Sequence, residues 1–335
     1  MQREGAAGSR TDRSMMEVKM GATVSVCLIV KNEEAVLKRC LDSLKGIADE
    51  YVIVDTGSDD GTKNIASAYT DRIYDFEWTD DFAAARNYAF SKCSCEYIYS
   101  ADADEILDEK AAEQFKALKE ALDGSVDIVQ FLYTNQLEYN TTYNYDRELR
   151  PKLYRRLRSF VWEGEVHEQV RLNPMIYDSE IEIIHKPTSL HSGRDFDIFL
   201  KLMERKGELE PRLMDMYLRE LAVSGEDSDF VDAGEHLKKA LEKESDEERM
   251  KNELYCVMRG ERAKGDRELF MKYALRALAL GDVTSETAYE LGEYYRGVQD
   301  MNEAKMWYYN AANETEPALD HRYHDEYPQR YLTEG

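Results

Sequence analysis

Two kinds of hydrophobic pattern alternate along the first hundred residues. "TVSVCLIV" (23–30), "EYVIVDT" (50–56), "DRIYDFEW" (71–78) and "EYIYSAD" (96–102) are short, nearly continuous β-branched and apolar runs, the pattern of strands covered on both faces. Between them lie segments with helical spacing. In "KNEEAVLKRCLDSLKG", Asn32 is placed to cap a helix on which Val36, Leu37, Cys40, Leu41 and Leu44 share a face, and Gly46 marks its stop. "GSDDGT" is a tight polar turn before the short helix "KNIASAYT", and "DFAAARNYAFSKC" is a third helix. Strands and helices alternating at this length predict a Rossmann-like α/β domain with a mostly parallel sheet.

After Asp102 the rhythm changes. "DEKAAEQFKALKEALDG" is helical, "VDIVQFLYTNQLEY" is a long strand-like run, and "NTTYNYDRELRPKLYRRL" reads as a hairpin or loop with aromatic and basic residues interleaved. "FVWEGEVHEQV" (160–170) and "SEIEIIHKP" (179–187) are two further β segments, a mixed extension of the sheet. From about residue 195 the pattern is helical to the end. Leu291, Gly292, Tyr295, Ala304, Tyr308 and Ala311 stand at the offsets of a tetratricopeptide repeat, and "AGEHLKKALEKE" and "LFMKYALRALALGD" resemble second helices of degenerate units. The closing "DHRYHDEYPQRYL" reads only as a cap on the last repeat. The expected organisation is a disordered leader over 1–22, an α/β domain over 23–200 and an all-α helical repeat domain over 201–335.

Charge changes the picture more than composition does. The balance of 44 basic and 68 acidic residues, a net −24, argues against general attraction to nucleic acid or anionic lipid. A phosphate-bearing ligand would need a local counter-charge. Five cysteines without zinc-type spacing fit a reducing cytoplasm, and no apolar stretch is long enough for a membrane span or the centre of a signal peptide.

Ligands of open α/β sheets bind outside the carboxyl ends of the strands. Here those ends read "KNEE", "DTGSDDGT" and "ADADE", so Asp55, Asp59, Asp102 and Asp104 would surround one cleft. The first strand-to-helix turn, "VKNEEAV", has no glycine, and no P-loop motif occurs, so dinucleotide binding is not expected. Carboxylates beside a pyrophosphate repel it unless a divalent cation lies between them. The cleft therefore calls for Mg²⁺ or Mn²⁺ if its ligand is a nucleotide diphosphate. Acidic residues after a strand also favour a helix start, and Glu105 and Asp108 read that way.

In order along the chain, "VSVCLIVKNEEAVLKRCLDSL", "VIVDTGSDDGT", "DFAAARN", "DADE" and "WEGEVHEQV" resemble the family 2 glycosyltransferases of the GT-A fold. The resemblance is to the tetratricopeptide-bearing branch that includes sublancin-type peptide S-glycosyltransferases. It covers residues 23–200, and the remainder only through helical repeats. The resemblance implies an inverting, metal-dependent transfer of a hexose from a nucleotide diphosphate sugar, a UDP-sugar, to a protein, peptide or glycan acceptor. It implies that Val30, Lys31, Asn32 and Glu33 frame the base and ribose, that Asp55 bonds the uracil or ribose, and that Asp59 supports its loop. Arg86 would reach the diphosphate or the acidic pair. Asp102 would sit by ribose and metal, Asp104 would ligate the metal, and His185 would complete the site, with His191 a rival because "HKPTSLHSGR" departs from the branch's pattern. The general base would be Glu168, with His167 its neighbour or the base itself. Strand alternation would place Glu163, Glu165 and His167 on one face and Trp162, Gly164, Val166 and Glu168 on the other, with Trp162 available to stack on sugar or acceptor. Tyr139, Tyr143 and Tyr145 mark the segment where acceptor contacts would lie. The helical repeats would hold the acceptor or form a homodimer face, and the sequence does not choose between these. Rival readings are a sugar-phosphate nucleotidyltransferase, which lacks its glycine-rich basic turn here, and a non-catalytic repeat scaffold with a degenerate transferase domain.

Overall fold

The computed structural model describes residues 21–134, 147–156, 162–167, 169–170, 174–186 and 192–332. Most of the expected leader, Tyr139, Tyr143, Tyr145, Glu168 and His191 lie outside the described residues.

The α/β part runs β1 (Val24–Val30), α1 (Leu37–Ser43), β2 (Glu50–Asp55), α2 (Thr62–Ser67), β3 (Ile73–Asp75), α3 (Phe82–Lys92), β4 (Tyr97–Ala101), β5 (Glu105–Ile106), α4 (Glu109–Ala121), β6 (Ile128–Thr134), β7 (Glu148–Arg155), β8 (Trp162–Glu163), β9 (Gln169–Val170) and β10 (Ile176–His185). The main sheet has the order β3-β2-β1-β4-β7-β6-β10-β5. Strands β3, β2, β1 and β4 are mutually parallel, β7 is antiparallel to both β4 and β6, β10 runs parallel to β6, and β5 closes antiparallel to the end of β10. The apolar runs are continuous because both faces of the central strands are covered. Val24, Val26, Leu28 and Val30 pack with Leu37, Leu41 and Phe115 on one side, while Cys27 packs with Val54, Ala89 and Ile98 on the other. Register then aligns the carboxyl ends, with Val30 opposite Asp55 and Leu28 opposite Ala101.

Three local expectations change. Helix α1 begins at Leu37 without a side-chain cap, and Asn32 instead adopts a left-handed φ of 56°. Glu105 does not start a helix: it is buried in β5, and the start belongs to Asp108, whose carboxylate caps α4 by accepting from Ala111 N at 2.7 Å. The strand expected over 160–170 is a small hairpin of β8 and β9, and its alternation ends at Gly164 (φ 107°) and His167 (φ 49°).

The helical part comprises α5 (Ser192–Lys206), α6 (Pro211–Ser224), α7 (Asp227–Ala240), α8 (Glu247–Lys264), α9 (Arg267–Ala279), α10 (Ser285–Gly297), α11 (Met301–Asn313), α12 (Arg322–Asp325) and α13 (Gln329–Leu332). Helices α7 and α8, α8 and α9, and α10 and α11 pack as neighbours. Close approach needs small residues at the crossings: a Cβ on Gly292 would lie 2.6 Å from the Tyr308 ring, and one on Gly260 2.5 Å from the Phe230 carbonyl oxygen. Leu291, Ala304, Tyr308 and Ala311 are buried at the offsets read as a repeat. The closing segment does more than cap the last pair. Tyr323 OH meets Tyr255 OH on α8 at 2.7 Å, and Arg322 donates to Val223 O on α6 at 2.7 Å. No helix among the described residues is long and apolar enough to cross a membrane.

Within α8, Glu253 is buried and neither carboxylate oxygen has a hydrogen-bond partner among the described residues. Burial first, then the charge of Glu244, pushes its carboxyl from 4.5 up to about 8 against the pull of Arg249 and Arg276. The unfolded chain releases this proton near the ordinary value, so the group's contribution is favourable below that pH and is lost as pH rises through about 8. Glu253→Gln removes this dependence. Its melting temperature relative to wild type is expected to rise between about pH 5 and about pH 9. Thermal melts at both pH values check this, and a difference that does not change with pH contradicts it.

Candidate active site

The first two strand ends are sewn together by side chains. Asn32 N donates to Ser58 Oγ at 2.9 Å, and Asn32 Oδ1 accepts from Asp59 N at 2.9 Å. Glu33 N donates to Thr62 Oγ1 at 2.7 Å, and Glu34 Oε2 accepts from Gly61 N at 2.6 Å. The loop support expected of Asp59, whose side chain is exposed, comes from Asp60, which accepts from Thr62 N at 2.9 Å and Glu34 N at 3.1 Å. Val30 O is taken by Thr56 N at 2.9 Å and Thr56 Oγ1 at 3.2 Å, and Lys31 is exposed beside it.

Asp55 sits at the centre of this frame, 1% exposed. Its Oδ2 accepts from Gly57 N and Ser58 N, both at 3.0 Å, and lies 3.4 Å from Lys63 Nζ. Burial alone would raise its pKa, but Ser58, Gly57 and Lys63 outweigh it and hold the carboxyl below the usual range. Oδ1 is buried with no partner among the described residues. A charged oxygen left this way is costly unless a donor reaches it. The frame thus presents one acceptor for an N–H or O–H from outside the chain.

Beyond β4, the acidic run divides. Asp104 Oδ2 lies 3.0 Å from His185 Nε2, brought there by the pairing of β5 with the end of β10. The His185 ring packs 5.2 Å from that of Tyr133. Asp102 is half-exposed, and its Oδ2 accepts from Lys152 Nζ at 2.7 Å. Lys152 also donates to Glu105, whose second oxygen accepts from Asp102 N at 3.2 Å. Burial pushes Glu105 up to about 8 against Lys152 and with the help of the Asp102 charge. Desolvation works against ionised Asp102, yet Lys152 and then Arg86 keep it well below the ordinary carboxylate range. Arg86 donates to Ser100 on β4 and lies over the Trp162 ring, 5.0 Å from its centroid.

Lys152 was not singled out by sequence. It is the residue skipped where the β6–β7 register passes from Val129–Leu153 to Gln130–Pro151, a bulge that re-aims its side chain toward the strand end. The signal was Pro151, which cannot donate to a ladder and marks a bulge when it interrupts a strand pattern.

The residues of "WEGEVH" go elsewhere than alternation suggests. Trp162 is buried among Phe90, Tyr154 and Arg86, and Asn87 bonds both its backbone groups, so it does not present a free face for sugar stacking. Glu165 pairs with Arg205 and Lys206 of α5. His167 Nε2 lies 3.2 Å from Glu220 Oε1 on α6, with its ring against Phe199 on α5. The segment ties the sheet to the helices.

Among the described residues no three His, Cys, Asp or Glu side chains form a complete metal site. The donor chemistry nevertheless fits a divalent cation. Asp104 Oδ2 and His185 Nε2, paired with each other at 3.0 Å, are a carboxylate and an imidazole that could both turn to one cation. The carboxylate suits Mn²⁺ or Mg²⁺, and the imidazole favours Mn²⁺ of the two.

Residues 25–179 match the model of the glycosyl transferase family 2. The chain is 26% identical over 237 residues to the SPbeta prophage-derived glycosyltransferase SunS of Bacillus subtilis, across 65% of this chain and 53% of that one. It is 36% identical over 104 residues to the lipopolysaccharide core biosynthesis glycosyltransferase LpsC of Rhizobium meliloti, across 30% and 38%. A TPR repeat-containing protein of Synechococcus elongatus is 41% identical over 102 residues, across 30% and 25%. The chain spans about a quarter to about half the length of these relatives. Among solved structures it is similar to glucosyl-3-phosphoglycerate synthase from Mycobacterium tuberculosis in complex with Mn²⁺ and UDP-glucose, at 18% identity and a TM-score of 0.42, over 57% of this chain and 81% of that one. Residues 25–179, which hold most of the mixed sheet, thus match the family 2 glycosyltransferases, and paired helices follow them.

Proposed function

We propose that the chain is an inverting, metal-dependent glycosyltransferase that moves a hexose from a UDP-sugar to a peptide, protein or glycan acceptor. The observation that carries the reading is the buried Asp55 Oδ1, without a partner among the described residues, at the same sheet edge as Asp102, Asp104 and His185. Asp55 Oδ1 accepts a hydrogen bond from uracil or ribose, and the β1 and β2 loops, with Val30, Lys31, Asn32 and Glu33, keep water from competing for it. Asp104 and His185, joined by Asp102, would hold Mn²⁺ or Mg²⁺, which supplies charge neutralisation for the leaving diphosphate. Arg86 adds positive charge on the β4 side of the cleft. Glu168 takes the acceptor proton as the nucleophile attacks the anomeric carbon and the sugar–phosphate bond breaks. His167, engaged with Glu220, holds the segment carrying Glu168 against the helices rather than acting as the base. The helical domain supplies the acceptor surface, and five free cysteines suit a reducing cytoplasm.

Asp55→Asn tests the reading. Asparagine can keep one oxygen toward the Gly57 and Ser58 amides, but then turns its NH₂ group toward the incoming donor. UDP affinity measured by calorimetry is expected to fall by about a hundredfold, the cost of opposing two donors in a buried site. Unchanged affinity would remove Asp55 from the site.

A further inference from the structure

We propose that Lys152 is an internal cation that competes with the divalent metal for Asp102, so that the metal binds tightly only together with a nucleotide diphosphate. This rests on the metal-dependent reading of the site. Lys152 is 7% exposed and is bonded to both Asp102 and Glu105. One fixed positive charge therefore already offsets the acidic cluster. A cation arriving between Asp104 and His185 finds an Asp102 oxygen occupied and a buried ammonium close by, where charges removed from bulk water repel strongly. The diphosphate of an incoming nucleotide carries the negative charge that relieves this repulsion. Metal and nucleotide then raise each other's affinity by the same factor. Glu105 completes the device: it remains a partner for Lys152 when Asp102 turns to the metal, so the ammonium is never left buried and unpaired. The bulge at Pro151 and Lys152 fixes the aim of the side chain, which a regular β7 would direct by its ordinary alternation.

Mn²⁺ is titrated calorimetrically into wild type, Lys152→Met and Arg155→Met, each with and without UDP. In Lys152→Met, affinity for Mn²⁺ alone is expected to rise about tenfold or more, and the enhancement of Mn²⁺ binding by UDP to shrink by a similar factor. Arg155→Met removes an equal charge from the far end of the same strand, where Arg155 stands opposite Tyr97 at the start of β4, and is expected to change Mn²⁺ affinity by less than about threefold. Lys152→Gln serves in place of Lys152→Met if the latter does not fold, with retained UDP uptake as the check. Unchanged Mn²⁺ affinity in a variant that still takes up UDP overturns the inference and leaves the proposed function standing. Equal tightening in the Arg155 variant also overturns it, reducing the effect to net charge. A wild type that takes up neither Mn²⁺ nor UDP overturns the reading of the site and the inference with it.

Discussion

Replacing Asp104 with alanine is expected to lower kcat/KM for sugar transfer by about a hundredfold to a thousandfold while leaving the fold intact. Asp104 and His185, 3.0 Å apart, are the carboxylate and imidazole proposed to hold the cation. Loss of Asp104 leaves His185 without that partner and, on the proposed reading, would weaken the counter-charge to the leaving diphosphate. The structural cost is small, because the backbone pairing that builds the site survives: Asp104 O still accepts from Lys186 N at 3.0 Å, and His185 remains opposite Glu105. Initial rates at saturating Mn²⁺ with a melting curve on the same sample separate the two effects. A rate within about threefold of wild type would remove Asp104 from the chemistry.

The largest stability effect is expected at Glu286. Its side chain is buried, and its Oε1 accepts from Ala318 N at 3.0 Å, Leu319 N at 2.7 Å and Asp320 N at 3.0 Å. Successive backbone amides of this kind make an anion-binding nest. Here the anion is supplied by the start of α10, and it fixes the turn that leads into the closing segment. Alanine at this position strands those donors, and at about 1–3 kcal/mol for each buried group left unsatisfied a total of about 3–5 kcal/mol is expected. The segment carrying Arg322 and Tyr323 should then leave Val223 and Tyr255. Glu286→Gln, which can keep one oxygen toward the amides, should cost less than half as much as the alanine variant. Chemical denaturation measures both, with limited proteolysis after residue 316 as a second readout. A cost below about 1 kcal/mol for the alanine variant contradicts the role given to the nest.

The continuous apolar runs made the first four strands legible, since a strand covered on both faces has little freedom in its pattern. The strand ends were legible for the same reason: once β1, β2 and β4 are parallel neighbours, Asp55, Asp102 and Asp104 must emerge at one edge. What the sequence did not show depends on contacts between distant elements. The bond from Lys152 to Asp102 and Glu105 exists because β7 inserts antiparallel beside β4 and bulges at Pro151. Glu105 read as a helix-start residue because nothing local reveals that β10 will pair with it and bury it. The alternation drawn through "WEGEVHEQV" failed where left-handed backbone at Gly164 and His167 turns the chain, and His167 met Glu220, a residue of the helical part. Asn32 had the chemistry of a helix cap, but a turn formed by the next strand's loop claimed it first.

A sheet edge that works as the proposed metal-assisted UDP-sugar site releases UDP only when the cation is present. Release of UDP from UDP-glucose, UDP-galactose and UDP-N-acetylhexosamines, followed with Mn²⁺, with chelator and after Mn²⁺ is restored, tests it most directly. Turnover of at least one of these donors is expected, stopping with chelator and returning with Mn²⁺. Turnover indifferent to the chelator, or none from any of the donors, would contradict it.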